Sequence, residues 1–361
     1  MKAAILESAP GELSIVDDGD HAAVGRREVL VQSKAAGVCH SDLHYIQGKY
    51  KTRTPTVVGH EAAGIVLEVG SEVAYVKPGD HVVSCLSVFC GTCEYCMSGQ
   101  LVLCSKRSTR RRRGQPQRLN RNGQDIWQFL DVSAFAERML VHENALAKID
   151  SEIPLDRAAL LGCAVTTGLG AVFRTARVRG GSTVAVIGCG GVGLNTIQGA
   201  ALAGAARIIA VDQVPGKLEL AQQFGATDLV NTEEGDPLAR IRELTGDGVD
   251  YSFEAIGLKP TTEQAFAMLR PGGTAVVVGM IPLGTSVEIP GVDFMFEKKL
   301  VGSLMGSNNF RTDMPRYAQM YQQGRLKLDE LVSARLGLED VNKAFDDMQR
   351  GSVARSVIVF D

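Results

Sequence analysis

The chain has no run approaching the roughly 18 consecutive apolar residues of a membrane-spanning helix, so no span is expected. Its start, Met1-Lys2-Ala3-Ala4-Ile5-Leu6-Glu7, lacks the apolar stretch of a secretory signal. Net charge is also scarce. Lys and Arg number 38 against 41 Asp and Glu, a balance of −3 that argues against whole-protein affinity for nucleic acid or an anionic membrane. Internal repeats are absent. What the chain does have is eight cysteines in 361 residues. A disulfide framework suits small secreted domains, and this length supports roughly two domains with cores that need no such staples. Metal binding in a reduced, cytoplasmic protein is therefore the expected use of the thiols.

Four of them crowd into fifteen residues: Cys90, Cys93, Cys96 and Cys104, spaced C-x2-C-x2-C-x7-C. That spacing lets four thiolates converge on one tetrahedral zinc, a full coordination sphere that folds a loop and leaves no position for substrate. A second set of soft ligands is scattered: Cys39, His60 and Cys163. Each alone reads equally well as a core thiol or a structural histidine. Together they supply two thiolates and an imidazole, a site with one position open for water or substrate. Asp42 is the candidate acceptor for the second ring N–H of His60, and Glu61 is placed behind the metal or, alternatively, on the surface. Cys85 and Cys189 fall outside both sets and read as small buried hydrophobes.

Periodicity divides the chain. Residues 1–162 carry short β-like runs broken by Gly and Pro, among them Glu28–Gln32, Gly64–Val69 and His81–Ser84, with Val57–Glu61 read as a loop entering a short helix or turn. From Thr183–Ile187 onward strands alternate with helices. The strands are Arg207–Val211, Leu229-Val230, Val249–Glu254, Ala275–Gly279 and Leu300–Leu304, and a helix is expected over Gly216–Phe224. Such alternation implies right-handed crossovers and a parallel α/β sheet. A final strand, Ser356–Phe360, follows a return to mixed structure near residue 305. The parallel-sheet domain is thus inserted in one built from both ends of the chain.

Gly188-Cys189-Gly190-Gly191-Val192-Gly193 matches G-x-G-x-x-G and lies between the Thr183–Ile187 strand and a helix, the context a dinucleotide site requires. Unsatisfied N–H groups at that helix start favour a pyrophosphate. Asp212 ends the next strand. A carboxylate there accepts hydrogen bonds from ribose hydroxyls and repels a 2′-phosphate, favouring NAD over NADP.

One segment is strongly basic: Lys106 to Arg121 holds eight Lys and Arg, including Arg110–Arg113, and no acid. Its plain reading is an exposed loop. The sharper ones are an anion-binding rim, a contact for an acidic partner, or a zinc-stapled nucleic-acid module.

In this order the pieces resemble the zinc-dependent medium-chain alcohol dehydrogenases, over essentially the whole chain. Ser133-Ala134-Phe135-Ala136-Glu137 and Arg355-Ser356-Val357-Ile358 extend the likeness. The resemblance implies a doubly wound Rossmann domain (165–304) inserted in a mainly β GroES-like catalytic domain (1–164, with the zinc lobe, and 305–361). It implies two Zn2+ per chain, a catalytic one on Cys39, His60 and Cys163 with Glu61 nearby, and a structural one on the four-cysteine knuckle. Ser41 takes the place of the hydroxyl that accepts the alcohol proton, and His44 that of the histidine passing it to solvent. Thr167, Asp212, Lys217, Arg355 and the 188–193 loop match cofactor contacts. His40 stands at a pyrophosphate-facing position where many members carry Arg, which implies looser cofactor. Tyr50, Leu86, Phe129, Leu130, Met280 and Leu304 match pocket-lining positions. Leu86 replaces a bulky aromatic of several relatives, and Tyr50 an acidic residue of glutathione-dependent formaldehyde dehydrogenases.

The expected function is NAD-dependent interconversion of alcohols, medium-sized aliphatic or aromatic primary ones, with aldehydes or ketones by hydride transfer. A thiol-dependent formaldehyde dehydrogenase or a nicotinoprotein of the same superfamily is the nearer alternative, and a zinc-knuckle nucleic-acid binder the remote one. A small-molecule substrate, a homodimer or homotetramer with the Leu300–Leu304 strand as a contact, and no nucleic-acid or membrane partner complete the expectation.

Overall fold

The computed structural model describes residues 1–105, 108–111, 114–351 and 354–361. The chain divides into two compact units, Met1–Cys163 with Asn309–Asp361, and Ala164–Asn308.

The first unit is mainly β. Its central sheet runs Leu146–Lys148, His81–Ser84, Ala62–Val69, Glu28–Gly37, Arg355–Val359, Val332–Leu336, and Arg138–His142 also pairs with Glu28–Gly37. The long strand Glu28–Gly37 is buried at most positions, so it carries a continuous Val29-Leu30-Val31 run rather than strict alternation. The last strand docks on it antiparallel, with Val357 opposite Gly37. Both ends of the chain therefore share one core, in which Val29, Val31 and Ala62 pack with Val341, Phe345 and Ile358. A smaller sheet joins Leu13–Val16, Ala3–Leu6, Thr56–Val57, Gln124–Gln128, Leu119–Arg121 and Gly19–His21.

Val57–Glu61 does not enter a helix; it leads into the strand Ala62–Val69. Neighbouring backbone decides this. The N–H groups of Phe135 and Ala134 donate to the carbonyls of Val58 and Gly59 (2.9 and 2.8 Å), and that of Gly37 to Glu61 (2.7 Å). These bonds hold the segment extended, and Gly59 makes the bend with φ +89.

The second unit is a six-stranded parallel sheet of β1 (Thr183–Ile187), β2 (Arg207–Asp212), β3 (Asp228–Asn231), β4 (Val249–Glu254), β5 (Leu269–Val277) and β6 (Lys299–Gly302). Their spatial order is β3-β2-β1-β4-β5-β6, so the winding reverses between β1 and β4. The crossovers are α1 (Gly191–Leu202), α2 (Pro215–Gln223), α3 (Pro237–Thr245) and α4 (Lys259–Ala267). β1 reads TVAVI and is buried except at its first residue, as a strand covered on both faces should be. Asp236 caps α3 by accepting from Leu238 and Ala239 N–H, and Pro237 follows at its first turn.

β6 is shorter than the expected Leu300–Leu304. Leu304 lies instead in a turn, Leu304–Ser307, because Met305 and Gly306 adopt left-handed φ (49 and 69). That turn lays Gly306 against Gly170 so closely that a Cβ on Gly170 would stand 2.3 Å from the Gly306 carbonyl oxygen. Among the described residues no single helix is long and apolar enough to cross a membrane.

Candidate functional site

Three local structures bring the scattered ligands together within the first unit. Cys39 is the extended residue (φ −121, ψ 144) before the short helix His40–Ile46. His60 and Glu61 occupy the extended segment just described, and Cys163 follows the turn Ala159–Gly162. One ligand atom from each of Cys39, His60, Glu61 and Cys163 lies within 4.8 Å of the others, and all four side chains are buried. The two Sγ atoms are 4.0 Å apart. Thiolates on a tetrahedral zinc, at about 2.3 Å from the metal, stand about 3.8 Å from each other.

His60 Nδ1 is 2.7 Å from Asp42 Oδ1, and its Nε2 is buried with no hydrogen-bond partner among the described residues. Asp42 thus selects the tautomer that leaves Nε2 free to ligate. Both Glu61 oxygens are likewise buried without a hydrogen bond. Orphaned donor atoms of this kind, facing two thiols, suit a soft dication. Arg355 Nη1 stands 3.5 Å from Glu61 Oε2 and donates to the Val38 carbonyl at 2.9 Å. Burial pushes the Glu61 carboxyl up to about 8 against the opposing pull of Arg355. In the thiol pair, the bond from Cys163 pulls Cys39 down, and the same bond pushes Cys163 up.

Sγ atoms of the knuckle approach one another at 3.4 Å (Cys93–Cys96) and 3.9 Å (Cys90–Cys96 and Cys93–Cys104). All four cysteines form one ligand cluster. Backbone amides serve the sulfurs directly: Thr92 N–H donates to Cys90 Sγ at 3.4 Å, and Cys90 N–H to Cys104 Sγ at 3.3 Å. Every member of the cluster is a thiol, so a tetrahedral ion there would be closed to substrate.

Four arginines of the basic segment after Cys104 are held by carboxylates. Arg110 grips Asp131 through Nε and Nη2 (2.7 and 2.8 Å), Arg111 and Arg118 converge on Glu28 (2.6 and 2.8 Å), and Arg121 meets Asp18 (2.8 Å). Burial opposes ionisation of Glu28, yet the two guanidinium groups hold it at about 2. The anion-binding rim read from Arg110–Arg113 is therefore not free at Arg110 or Arg111, and Arg112 and Arg113 lie outside the described residues.

Ser41 and His44 share the helix His40–Ile46, and His40 is its exposed first residue. Burial, then Lys49, lowers the pKa of the half-buried His44, whose Nδ1 has no hydrogen-bond partner among the described residues. Phe129, buried, meets Tyr45 edge to face at 4.9 Å and lies 6.5 Å from the His60 ring. Tyr50 stands 5.6 Å from Tyr45 and 6.0 Å from His44. Sequence reasoning missed Tyr45; its place four residues after Ser41, on one helix face, was the available signal. Leu86 and Leu130 are half-buried in this unit, and Leu130 has a left-handed φ of 48. Met280, half-buried, and Leu304, exposed, belong to the second unit.

In the second unit the glycine-rich loop turns at Gly188 (φ +93), and a Cβ on Gly193 would sit 1.7 Å from the Gly188 carbonyl oxygen. A Cβ on Gly190 would meet nothing within 4 Å, so the backbone there lies open to a ligand. Gly191 and Val192 begin α1. Asp212 is fixed beside this loop: Oδ2 accepts Cys189 N–H at 2.8 Å and Oδ1 accepts Val214 N–H at 3.0 Å. An open glycine cradle at a helix start beside an anchored carboxylate suits a dinucleotide. Lys217 is half-buried on α2, and Thr167 is buried with Oγ1 3.6 Å from Met305 Sδ. Cys85 and Cys189 are buried, and burial raises both thiols, Cys85 to about 11.

Two family models match the chain, an alcohol dehydrogenase GroES-like domain over residues 25–151 and a zinc-binding dehydrogenase over residues 191–322. It is 40% identical to an NDMA-dependent alcohol dehydrogenase of Amycolatopsis methanolica, covering 99% of this chain and 98% of the relative. It is also 40% identical to an S-(hydroxymethyl)glutathione dehydrogenase of Synechocystis sp., with 99% of each covered. Among solved structures, benzyl alcohol dehydrogenase from Acinetobacter calcoaceticus matches with a TM-score of 0.94 at 31% identity, covering 100% of this chain and 99% of that one.

Proposed function

The chain belongs to the zinc-dependent medium-chain alcohol dehydrogenases, and on that premise we propose that it interconverts medium-sized aliphatic or aromatic primary alcohols and their aldehydes with NAD. The buried Cys39–His60–Cys163 group, with His60 Nε2 left without a partner, is the observation that carries this reading. When bound, zinc would supply Lewis-acid polarisation of the substrate oxygen and NAD the hydride acceptor.

The chain's own residues do the rest. Cys39, His60 and Cys163 would hold the catalytic ion, and Asp42 keeps His60 in its ligating tautomer. Arg355 stands against Glu61 behind the ligands. Ser41 takes the alcohol proton. Burial, then Lys49, lowers the pKa of His44, which favours the neutral imidazole that can receive that proton and release it to water. The glycine loop and Lys217 would hold the dinucleotide, with Asp212 favouring NAD over NADP. The aromatic wall of Tyr45, Tyr50 and Phe129 favours an apolar substrate body. The second zinc would sit in the knuckle.

Edge strand β6 has no neighbour on its outer side among the described residues, and Val292, Phe294, Met295 and Phe296 just before it are exposed. These features support a homodimer or larger homo-oligomer joined along that edge. That none of the eight cysteines is in a disulfide supports a reducing, cytoplasmic setting.

Zinc per chain, measured beside NADH formation from a panel of alcohols, tests the proposal. Two zinc ions and NAD-dependent oxidation are expected. Turnover that needs NDMA or a low-molecular-weight thiol would move the chain to the alternatives suggested by its relatives' names. No turnover under any of these conditions would overturn it.

A further inference from the structure

Glu254 is the last residue of β4 and fully buried. One of its carboxylate oxygens, Oε1, accepts three hydrogen bonds: Ile256 N–H at 2.9 Å, Gly257 N–H at 2.7 Å and the Thr261 hydroxyl at 2.8 Å. Its backbone carbonyl accepts two more, from Val278 and Gly279 N–H, both at 2.9 Å. A single residue therefore ties the turn after β4 to the turn after β5. The two turns are in direct backbone contact. A Cβ on Gly257 would stand 2.5 Å from the Met280 carbonyl oxygen, and one on Gly279 would stand 2.2 Å from Gly257 N and 2.6 Å from Glu254 Oε2. That second oxygen, Oε2, is buried without a hydrogen-bond partner among the described residues.

The place of this clamp gives it a purpose. Glu254 pairs with Ile187, the residue before the glycine-rich loop, and Ala255 N–H donates to the Ile187 carbonyl at 2.9 Å. It thus lies where the winding reverses between β1 and β4, the crevice across which doubly wound sheets bind dinucleotides. With Asp212 ending β2 on one side of β1, the adenosine half would lie towards β2 and the other half towards β4. The clamped turn presents Ile256, 43% exposed, whose Cγ1 would be 2.6 Å from a Cβ on Gly188. Ile256 therefore forms a wall beside the first glycine of the cradle.

We propose that Glu254 is a positioning residue of the dinucleotide cleft: by locking the turns after β4 and β5 together it fixes Ile256 against Gly188 and so sets the affinity for the dinucleotide. The proposal rests on the dinucleotide reading given above. Retaining a carboxylate with one unpartnered oxygen in a dry site works against stability. The three donors gathered on the other oxygen are what the residue supplies in return.

The test uses the full-length protein and two readouts, NADH affinity by fluorescence titration and amide exchange at Ile256, Gly257 and Gly279 without cofactor. Glu254→Ala should weaken NADH binding by roughly tenfold or more, as loss of hydrogen bonds to a charged acceptor implies, and should speed exchange at all three amides. Glu254→Gln, which keeps an acceptor oxygen in place, should restore both to within about threefold. Thr261→Val removes one donor from the set and should give a smaller loss; it decides the matter if Glu254→Ala does not fold. Wild-type affinity and exchange in a folded Glu254→Ala, or in Thr261→Val when that variant is the deciding one, would overturn the inference alone. Failure of the wild-type protein to bind NADH at all would overturn the dinucleotide reading and this inference with it.

Discussion

The two candidate metal centres are built in opposite ways. The knuckle draws four identical ligands from fifteen neighbouring residues on a lobe with little core of its own: Leu101 is buried, but Tyr95, Met97 and Leu103 are exposed. The other centre draws on residues as far apart as Cys39 and Cys163, 124 positions in sequence. It is mixed in chemistry, buried in a core already held by Phe129, Val58 and Phe135, and ringed by Asp42, Glu61 and Arg355. A local, all-thiol set lets the ion organise the chain, because the lobe has little else to fold around. A dispersed set requires the chain to organise the site first. What the fold gains is a position that can be left open and neighbours that can be tuned.

The sharpest way to break this contrast is to remove one cysteine from each centre. Cys163→Ala should lower kcat/KM by about a thousandfold or more and remove one zinc per chain, while the melting temperature moves little. Retained turnover would remove the catalytic role of that centre. Cys93→Ala should act in the other order, destabilising by about 3 kcal/mol or more, because the lobe's folding and its metal are one event. An unchanged denaturation midpoint would show that the lobe stands without its ion.

The return path from the knuckle offers a third test. Glu28→Gln leaves Arg118, itself buried, without its charge partner, and should cost about 3 kcal/mol in chemical denaturation. The pH dependence has a definite sign. The folded state holds Glu28 at about 2 against an ordinary 4.5, so its stabilisation is full above pH 4.5 and is lost as pH falls towards 2. Burial, then Arg27 and Arg118, pushes His142 from 6.5 down to about 4. Between those values the unfolded chain binds a proton that the folded chain does not, so stability falls with pH there too. Glu28→Gln should abolish the lower window of loss; if both windows persist, the Glu28 ion pairs are not what holds the loop.

The same contrast explains what could be read from the sequence. The knuckle was legible from spacing alone, and the Gly188–Gly193 loop from its setting between a strand and a helix, since both are local patterns. Cys39, His60 and Cys163 could be joined by the softness of their ligand atoms and by family likeness, but no spacing rule links them. Long-range pairing was illegible for the same reason. Arg111 and Arg118 look like members of a free basic run until Glu28, 83 and 90 positions away, is folded beneath them. Val57–Glu61 was misread because its conformation is set by the amides of Ala134 and Phe135, and the end of β6 because the approach of Gly306 to Gly170 ends the strand early. Glu254 showed nothing but a carboxylate closing a strand. Its meaning lies in turns whose geometry no window of sequence contains.

Two milder substitutions sharpen the comparison by touching only the groups that serve the ligands. Asp42→Asn leaves the ligands of the buried centre in place but weakens the acceptor that fixes His60. Zinc affinity there should fall about 10- to 100-fold with the knuckle ion retained, as read by competition with a chromophoric chelator. Thr92→Val is the counterpart in the knuckle. It deletes the hydroxyl 3.6 Å from Cys90 Sγ but keeps the backbone N–H that donates to the same sulfur at 3.4 Å. With the amide still in place, the loss should be about 1 kcal/mol or less, a shift of about one or two degrees in melting temperature. The asymmetry follows from construction. A closed thiolate site gets its order from the ion and nearby backbone, which no side-chain change removes, whereas a buried mixed site depends on side chains around it. A Thr92→Val loss as large as that of Asp42→Asn would mean that the knuckle is tuned by its neighbours as closely as the buried centre, and the distinction between the two would fail.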